Sequence, residues 1–247
     1  MTKRLSHQSG FTLVELAVVI AIVATLVTVG ASMGQDAISF SKRYVTQKRL
    51  VSVEEALDAF VDKYGFLPCP ADLTLQPGTS SAFGEQNCTA TGTGIVEVTD
   101  ANGDVLMGAL PVRALQLPDN YASDAWNSKL LYAVSEDMAI DSASSVQHGT
   151  LYINNDGNIN IRAGNSAGTN FSLTTTTDAA SYVVVSFGEN RAGAYPYRDN
   201  AVEISCIGSF AEGDNCDMAD RVFYDNFYND GETSSYFDDF VIWGSKL

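Results

Sequence analysis

The sequence predicts an α+β protein in which a long N-terminal helix packs on an antiparallel β-sheet. Its first half is apolar enough to span a membrane and its second half is amphipathic. Three observations predict it. Residues 16–34 form a run of 19 residues without a charge. Leu50, Val53, Leu57, Phe60 and Tyr64 then recur at spacings of three and four, the mark of one apolar helix face. Past Gly65, which with Pro68 and Pro70 ends a helix, short apolar segments of strand length alternate with turn signals.

At the N-terminus Lys3, Arg4 and His7 precede Gly10, and the block Gly10-Phe11-Thr12-Leu13-Val14-Glu15-Leu16 opens the apolar run. As a helix, 19 residues rise about 28 Å, close to the hydrocarbon thickness of a bilayer. Glu15 is the odd residue, because an unpaired carboxylate there costs on the order of 2 to 3 kcal/mol, so it needs a partner. Basic flanks stay cytoplasmic, so Lys3 and Arg4 direct the rest of the chain outward. Lys42, Arg43, Lys48 and Arg49 run against that rule, but they lie in a helix that continues into the outer part.

The Gly-Phe-Thr-Leu-Val-Glu-Leu block resembles the cleavage and methylation site of type IV prepilins and type II secretion pseudopilins. The resemblance implies a pilin-like fold and cleavage by a prepilin peptidase between Gly10 and Phe11, with N-methylation of the new Phe11 amine. Residues 1–10 are then a leader, 11–34 a transmembrane and assembly helix, 35–64 its amphipathic continuation, and 65–247 an extracytoplasmic globular domain. Glu15 becomes the fifth residue of the mature chain, where the resemblance implies pairing with the N-terminal ammonium of a neighbouring subunit. Opposite charges in a low-dielectric core are tolerable only together. An ordinary secretory signal fits poorly, since Glu15 heads the apolar stretch and only the weak Gly30-Ala31-Ser32 stands in for a small-residue cleavage site.

Continuous from Phe11 to Tyr64, the helix would be about 80 Å long. The segment Gly65-Phe66-Leu67-Pro68-Cys69-Pro70 resembles the G-x-L-P-C-P turn that follows this helix in pseudopilin-like proteins. Residues 71–104 are rich in Thr, Ser, Gly and Asn and read as a variable surface region, with a hairpin of strands 94–99 and 105–107 turning at residues 100–104. Asp124-Ala125-Trp126-Asn127 and the strand 130–134 are similar to the D-P-W-G turn and following strand of major pseudopilins. Asn127 replaces the usual glycine, and asparagine also takes the left-handed conformation. Trp126 reads as a core anchor. Strands at 151–154 and 158–162 are joined through Asn155-Asp156-Gly157, and the strand 182–187 is apolar enough to be central. Residues 186–193 resemble an S-x-G-x-x-G turn, and the last strand, 237–243, resembles a D-D-I-x-x-W ending.

The net charge of −16 is unevenly placed: residues 1–64 hold seven Lys or Arg against six Asp or Glu, and residues 65–247 hold seven against 24. So acidic an outer domain argues against nucleic acid, whose phosphates need clustered cations. Cys69, Cys88, Cys206 and Cys216 all fall in the outer part, where an even count suggests disulfides. Three connectivities exist, and short loops favour Cys69 with Cys88 and Cys206 with Cys216. The resemblance implies a calcium site in the loops before the last strand, with Asp214, Asp217, Asp220, Asp225, Asp230 and Glu232 as candidate ligands and Asp238 and Asp239 close by. No catalytic motif is present; His148, the one histidine outside the leader, sits in a Ser-rich polar stretch where exposure accounts for it, and adjacent Asp238 and Asp239 point to opposite faces of a strand.

The expectation is therefore a structural subunit rather than an enzyme. It would be held in the inner membrane with its domain in the periplasm, then taken by the assembly platform into a pilus or pseudopilus with other subunits. The alternatives are a minor or tip subunit that acts as a binding module, and a single-pass anchored protein that does not assemble.

Overall fold

The computed structural model describes residues 12–89, 94–100, 103–139, 156–164, 170–175, 179–198, 202–206, 210–229 and 236–245. The leader, Gly10, Phe11, His148, the strand expected at 151–154, Asn155, Asp230 and Glu232 lie outside the described residues. Two units emerge, Met1–Ser41 and Lys42–Leu247.

Helix α1 runs over Leu13–Tyr64, 52 residues. In the first unit its described large apolar side chains are uncovered on every side, from Leu13 at 85% exposed down to Val23 at 51%. Thr25 Oγ donates to the Ile22 carbonyl and Thr28 Oγ to that of Ala24, so these hydroxyls are satisfied within the helix. Among the described residues no helix is long and apolar enough to cross a membrane. The side chains of residues 29–33, inside the 16–34 run, are not among those described.

In the second unit the helix buries Leu50, Val53, Leu57 and Phe60, the face that the spacing predicts. It stops where Gly65 takes φ 77° and donates its N–H to the Val61 carbonyl at 2.7 Å, a conformation that glycine adopts without a Cβ clash. Phe60, Tyr64 and Phe66 close the helix end, with ring centroids 4.5 to 6.0 Å apart.

That face packs on a five-stranded sheet built from β1 (Val96–Asp100), β2 (Gly103–Ala109), β3 (Leu131–Ser135), β6 (Ala180–Ser186) and β8 (Phe240–Ser245). Strand order is β1-β2-β3-β6-β8 and every pairing is antiparallel. Alternation along the strands sends Leu106, Tyr132, Val134, Tyr182 and Val184 into the core shared with the helix. Val105, Met107, Ala133, Val183 and Val185 enter a second core on the opposite face. Strands β3 and β6 are buried on both faces, which is why their sequences read as continuous apolar runs.

A three-stranded sheet of β5 (Asn170–Ser172), β4 (Asn160–Gly164) and β7 (Val222–Tyr224) covers the second core through Ile161 and Phe223. Its β4–β7 pair is parallel, a departure from the purely antiparallel expectation. Among the described residues the remaining helical pieces are a 3-10 turn at Asp119–Ala122, α2 (Glu136–Ala139) and α3 (Phe210–Cys216). Disulfides join Cys69 to Cys88 and Cys206 to Cys216. Lys129 is buried at 1% exposure, and its Nζ donates to the carbonyls of Leu73 and Leu75, which ties the chain after the helix to the end of β3.

Candidate functional site

The N-terminal site begins at Thr12. Its backbone N–H and its Oγ each donate to Glu15 Oε2 at 3.0 Å, and the Glu15 N–H donates back to Thr12 Oγ at 3.2 Å. This is a reciprocal capping box, which satisfies donors that no helical carbonyl reaches. Thr12 and Glu15 are three apart, so the T-x-x-E signal was present in the sequence, where Glu15 was assigned only a partner in another subunit. Of the residues expected here, Glu15 lies at the first turn of α1 and is exposed, while Gly10 and Phe11 lie outside the described residues.

Within the second unit α1 is keyed to the turn at 123–128. Arg49 donates to the carbonyls of Ser123 and Asp124 at 2.6 and 2.9 Å, and the Ala125 N–H donates to the buried Thr46 hydroxyl at 3.1 Å. Arg43 lies 3.9 Å from the ring centroid of Tyr228. Two of the cations that oppose the charge rule thus hold the helix to the domain. Asp124 organises the turn from inside: Oδ1 accepts from the Trp126 and Ser128 N–H groups and Oδ2 from the Ser186 hydroxyl, each at 2.9 Å. Burial pushes its carboxyl up to about 6 against those donors. Asn127 takes φ 67°, the left-handed conformation expected of it, and Trp126 is buried and stacked on Phe240 at 6.0 Å.

The second site is a group of buried carboxylates. Glu212 on α3 and Asp238 and Asp239 ahead of β8 are all buried, and one carboxylate oxygen from each lies within 4.8 Å of the others. The Glu189 and Asn190 N–H groups and the Tyr236 hydroxyl donate to Asp238 Oδ2 at 2.6, 2.8 and 3.1 Å. Asn190 Nδ2 and the Asp238 N–H donate to Glu212, and Asn215 Nδ2 donates to Asp239 Oδ2 at 2.9 Å. Asp238 Oδ1 is buried and receives no hydrogen bond. Burial, with Asp238 beside it, pushes Glu212 up to about 7, and burial also raises Asp239.

Glycines let the surrounding turn close in. Gly188, at φ 56°, lies where a Cβ would come within 2.2 Å of the Asp238 carbonyl oxygen, and Gly193, at φ 78°, where a Cβ would meet that of Cys216 at 2.0 Å. Three buried carboxylates to which, among the described residues, no cationic side chain bonds, with one orphaned oxygen, fit a hard divalent cation.

The acids named from sequence are placed differently. Asp217 and Asp220 accept from the N–H two residues on, at 2.9 and 2.8 Å, in local turns, and Asp225 accepts from Trp243 Nε1 at 3.1 Å. Asp214 lies near Asp217, Asp220 and Arg162. Among the described residues these four form no carboxylate group of their own. Glu212 was missed because nothing in its spacing from Asp238, 26 residues on, signals proximity. A second acidic group, Glu97, Asp104 and Glu136, sits at the end of the β1–β2 hairpin with Glu97 exposed.

No curated protein and no solved structure matches the chain. Residues 5–31 match the family described as the prokaryotic N-terminal methylation motif, so the chain carries the signature of type IV pilin and pseudopilin precursors.

Proposed function

We propose that the chain is a structural, non-catalytic subunit of a type IV pilus or of a type II secretion-type pseudopilus. The observation that carries this reading is the methylation motif at residues 5–31, which leads into a helix whose apolar side chains are uncovered. In this reading prepilin peptidase cuts between Gly10 and Phe11 and the Phe11 amine is methylated. Residues 11–34 hold the subunit in the inner membrane with its domain in the periplasm, until the assembly platform moves it into a bundle of such helices. The uncharged run 16–34 supports the membrane step, and so do the Thr25 and Thr28 hydroxyls, which need no outside partner.

Glu15 has a physical reason to prefer a neighbour once water is excluded. Its cap donors are neutral, and they do not cancel its charge in a low-dielectric bundle, whereas a neighbour's N-terminal ammonium does. Thr12 supplies the cap through an amide that remains after cleavage ahead of Phe11, so processing leaves the cap in place. Calcium is the ion implied for the loops before the last strand, and Glu212, Asp238 and Asp239 are the residues that would hold it. Bound there, it supplies the positive charge that lets three buried carboxylates stay ionised.

The test compares Glu15→Ala and Glu15→Gln in a host that assembles the wild-type chain, by the ratio of sheared filament to membrane-held subunit. Glutamine keeps the cap but not the charge. Both variants are expected to stay in the membrane and to lose filaments. Wild-type filament yield from both variants would contradict the pairing role.

A further inference from the structure

Helix α3 is seven residues long, carries Glu212 and ends on Cys216. A helix of that length does not hold itself together in water, so its position comes from what grips it. One grip is Asn215, which donates to the Tyr224 carbonyl and accepts the Tyr224 N–H at 3.0 and 2.6 Å, besides bonding Asp239. A second is Glu212, which accepts from Asn190 Nδ2 and the Asp238 N–H, and a third is the disulfide to Cys206, the one cross-link among them. Residues 202–206 lie on the turn after β6: the Gly193 N–H donates to the Ile204 carbonyl at 3.0 Å and the Ile204 N–H to that of Ala194 at 2.9 Å. The same turn presents the Glu189 and Asn190 N–H groups to Asp238. A closed circuit results, from the turn through Cys206 and Cys216 into α3, through Glu212 to Asp238, and back to the turn.

We propose that the Cys206–Cys216 disulfide is the clasp of the carboxylate site, and that it sets the site's affinity for a divalent cation by holding Glu212 against Asp238 and Asp239. The proposal rests on the calcium reading above. Opened, the clasp leaves α3 held only by non-covalent contacts, namely Asn215, buried Ala211 and the Asn190 and Asp238 donors to Glu212, so the distance from Glu212 to the other two carboxylates is less tightly fixed. Asp238 Oδ1, fully buried, receives no hydrogen-bond donor, which leaves that oxygen open to a cation. Coupling of this kind is reciprocal: if the disulfide tightens cation binding, the cation protects the disulfide by the same factor.

Calcium chloride is titrated calorimetrically into the detergent-solubilised full chain and into its Cys206→Ser/Cys216→Ser form, with near-ultraviolet circular dichroism recording the fold. Wild type is expected to bind, and the double variant to bind about tenfold more weakly or worse. Equal affinity in the two would overturn the clasp while leaving the calcium reading intact. No binding by wild type would overturn both. A second measurement needs no variant: the wild-type chain is equilibrated in glutathione buffers with and without calcium, and free thiols are labelled and located by peptide mass spectrometry. Calcium is expected to shift reduction of Cys206–Cys216 by about the same tenfold and to leave Cys69–Cys88 unmoved. An equal shift at both disulfides, or none at either, would sink the proposal even if the double variant failed to fold.

Discussion

Replacing Asp124 by alanine removes the acceptor on which the turn between α1 and the sheet is built. The Trp126 and Ser128 N–H groups, both donating to Asp124 Oδ1 at 2.9 Å, lose their partner in a region closed to water. Each orphaned buried donor costs about 1 to 3 kcal/mol, so the pair amounts to about 2 to 6 kcal/mol. The Ser186 hydroxyl, also buried, adds less because it can rotate. Against a domain stability of about 5 to 15 kcal/mol, that is a large fraction. Asp124→Asn keeps an oxygen for both N–H groups and offers an amide to Ser186, so it should cost only about 1 kcal/mol. Urea unfolding followed by tryptophan fluorescence measures both, since Trp126 stands in the turn and Trp243 in β8. If the alanine variant unfolded within about 1 kcal/mol of the asparagine variant, the claim that Asp124 holds the turn through Oδ1 would be wrong.

Burial lowers the Lys129 ammonium to about 8, with Asp72 opposing. The unfolded chain keeps that proton up to about pH 10.4, so between these values the unfolded state binds more protons and stability rises with pH. Relative to Lys129→Met, the wild type should therefore gain melting temperature from about pH 7 to about pH 10, and a constant difference would refute the assignment. Gly188→Ala, with φ 56° and a Cβ 2.2 Å from the Asp238 carbonyl oxygen, should destabilise the chain by about 2 kcal/mol or more in the same urea assay. A loss below about 0.5 kcal/mol would show that the turn is not as tightly closed as described. Saturating calcium, at about 100 times its dissociation constant, should stabilise wild type by about 2.7 kcal/mol and Asp238→Asn by much less. Equal calcium shifts in the two would place the ion elsewhere.

Local signals were the legible part of this chain. The three-and-four spacing from Leu50 to Phe60 located the buried helix face, although Tyr64, the next in the series, is exposed, and Gly65 located its end, because helix periodicity and a positive φ are properties of neighbouring residues. Asn127 was readable for the same reason, as was the β1–β2 hairpin with Asp100 opposite Gly103. The disulfides followed the shortest loops. Thr12 is legible through its spacing of three from Glu15, the capping-box interval, which is a local signal of the same kind.

Non-local pairings were not legible. The parallel β4–β7 pair joins segments about 60 residues apart whose short strands carry no mark of direction. Helix α3 contains Gly213, Asp214 and Asn215, all poor helix formers, so local propensity does not mark it, and its contacts in the fold are the disulfide, Asn215, Glu212 and buried Ala211. Glu212 comes to Asp238 and Asp239 through that helix, so nothing in the acid-rich loops marks the group, while Asp217 and Asp220 accept hydrogen bonds in their own turns.

Mass spectrometry of the N-terminal peptide tests the central claim most directly, with the full chain expressed beside a prepilin peptidase and in a host that lacks one. The account predicts a mature chain that starts at N-methylated Phe11 only where the peptidase is present. A leader retained in both hosts, or a cut near Ser32 in both, would contradict it.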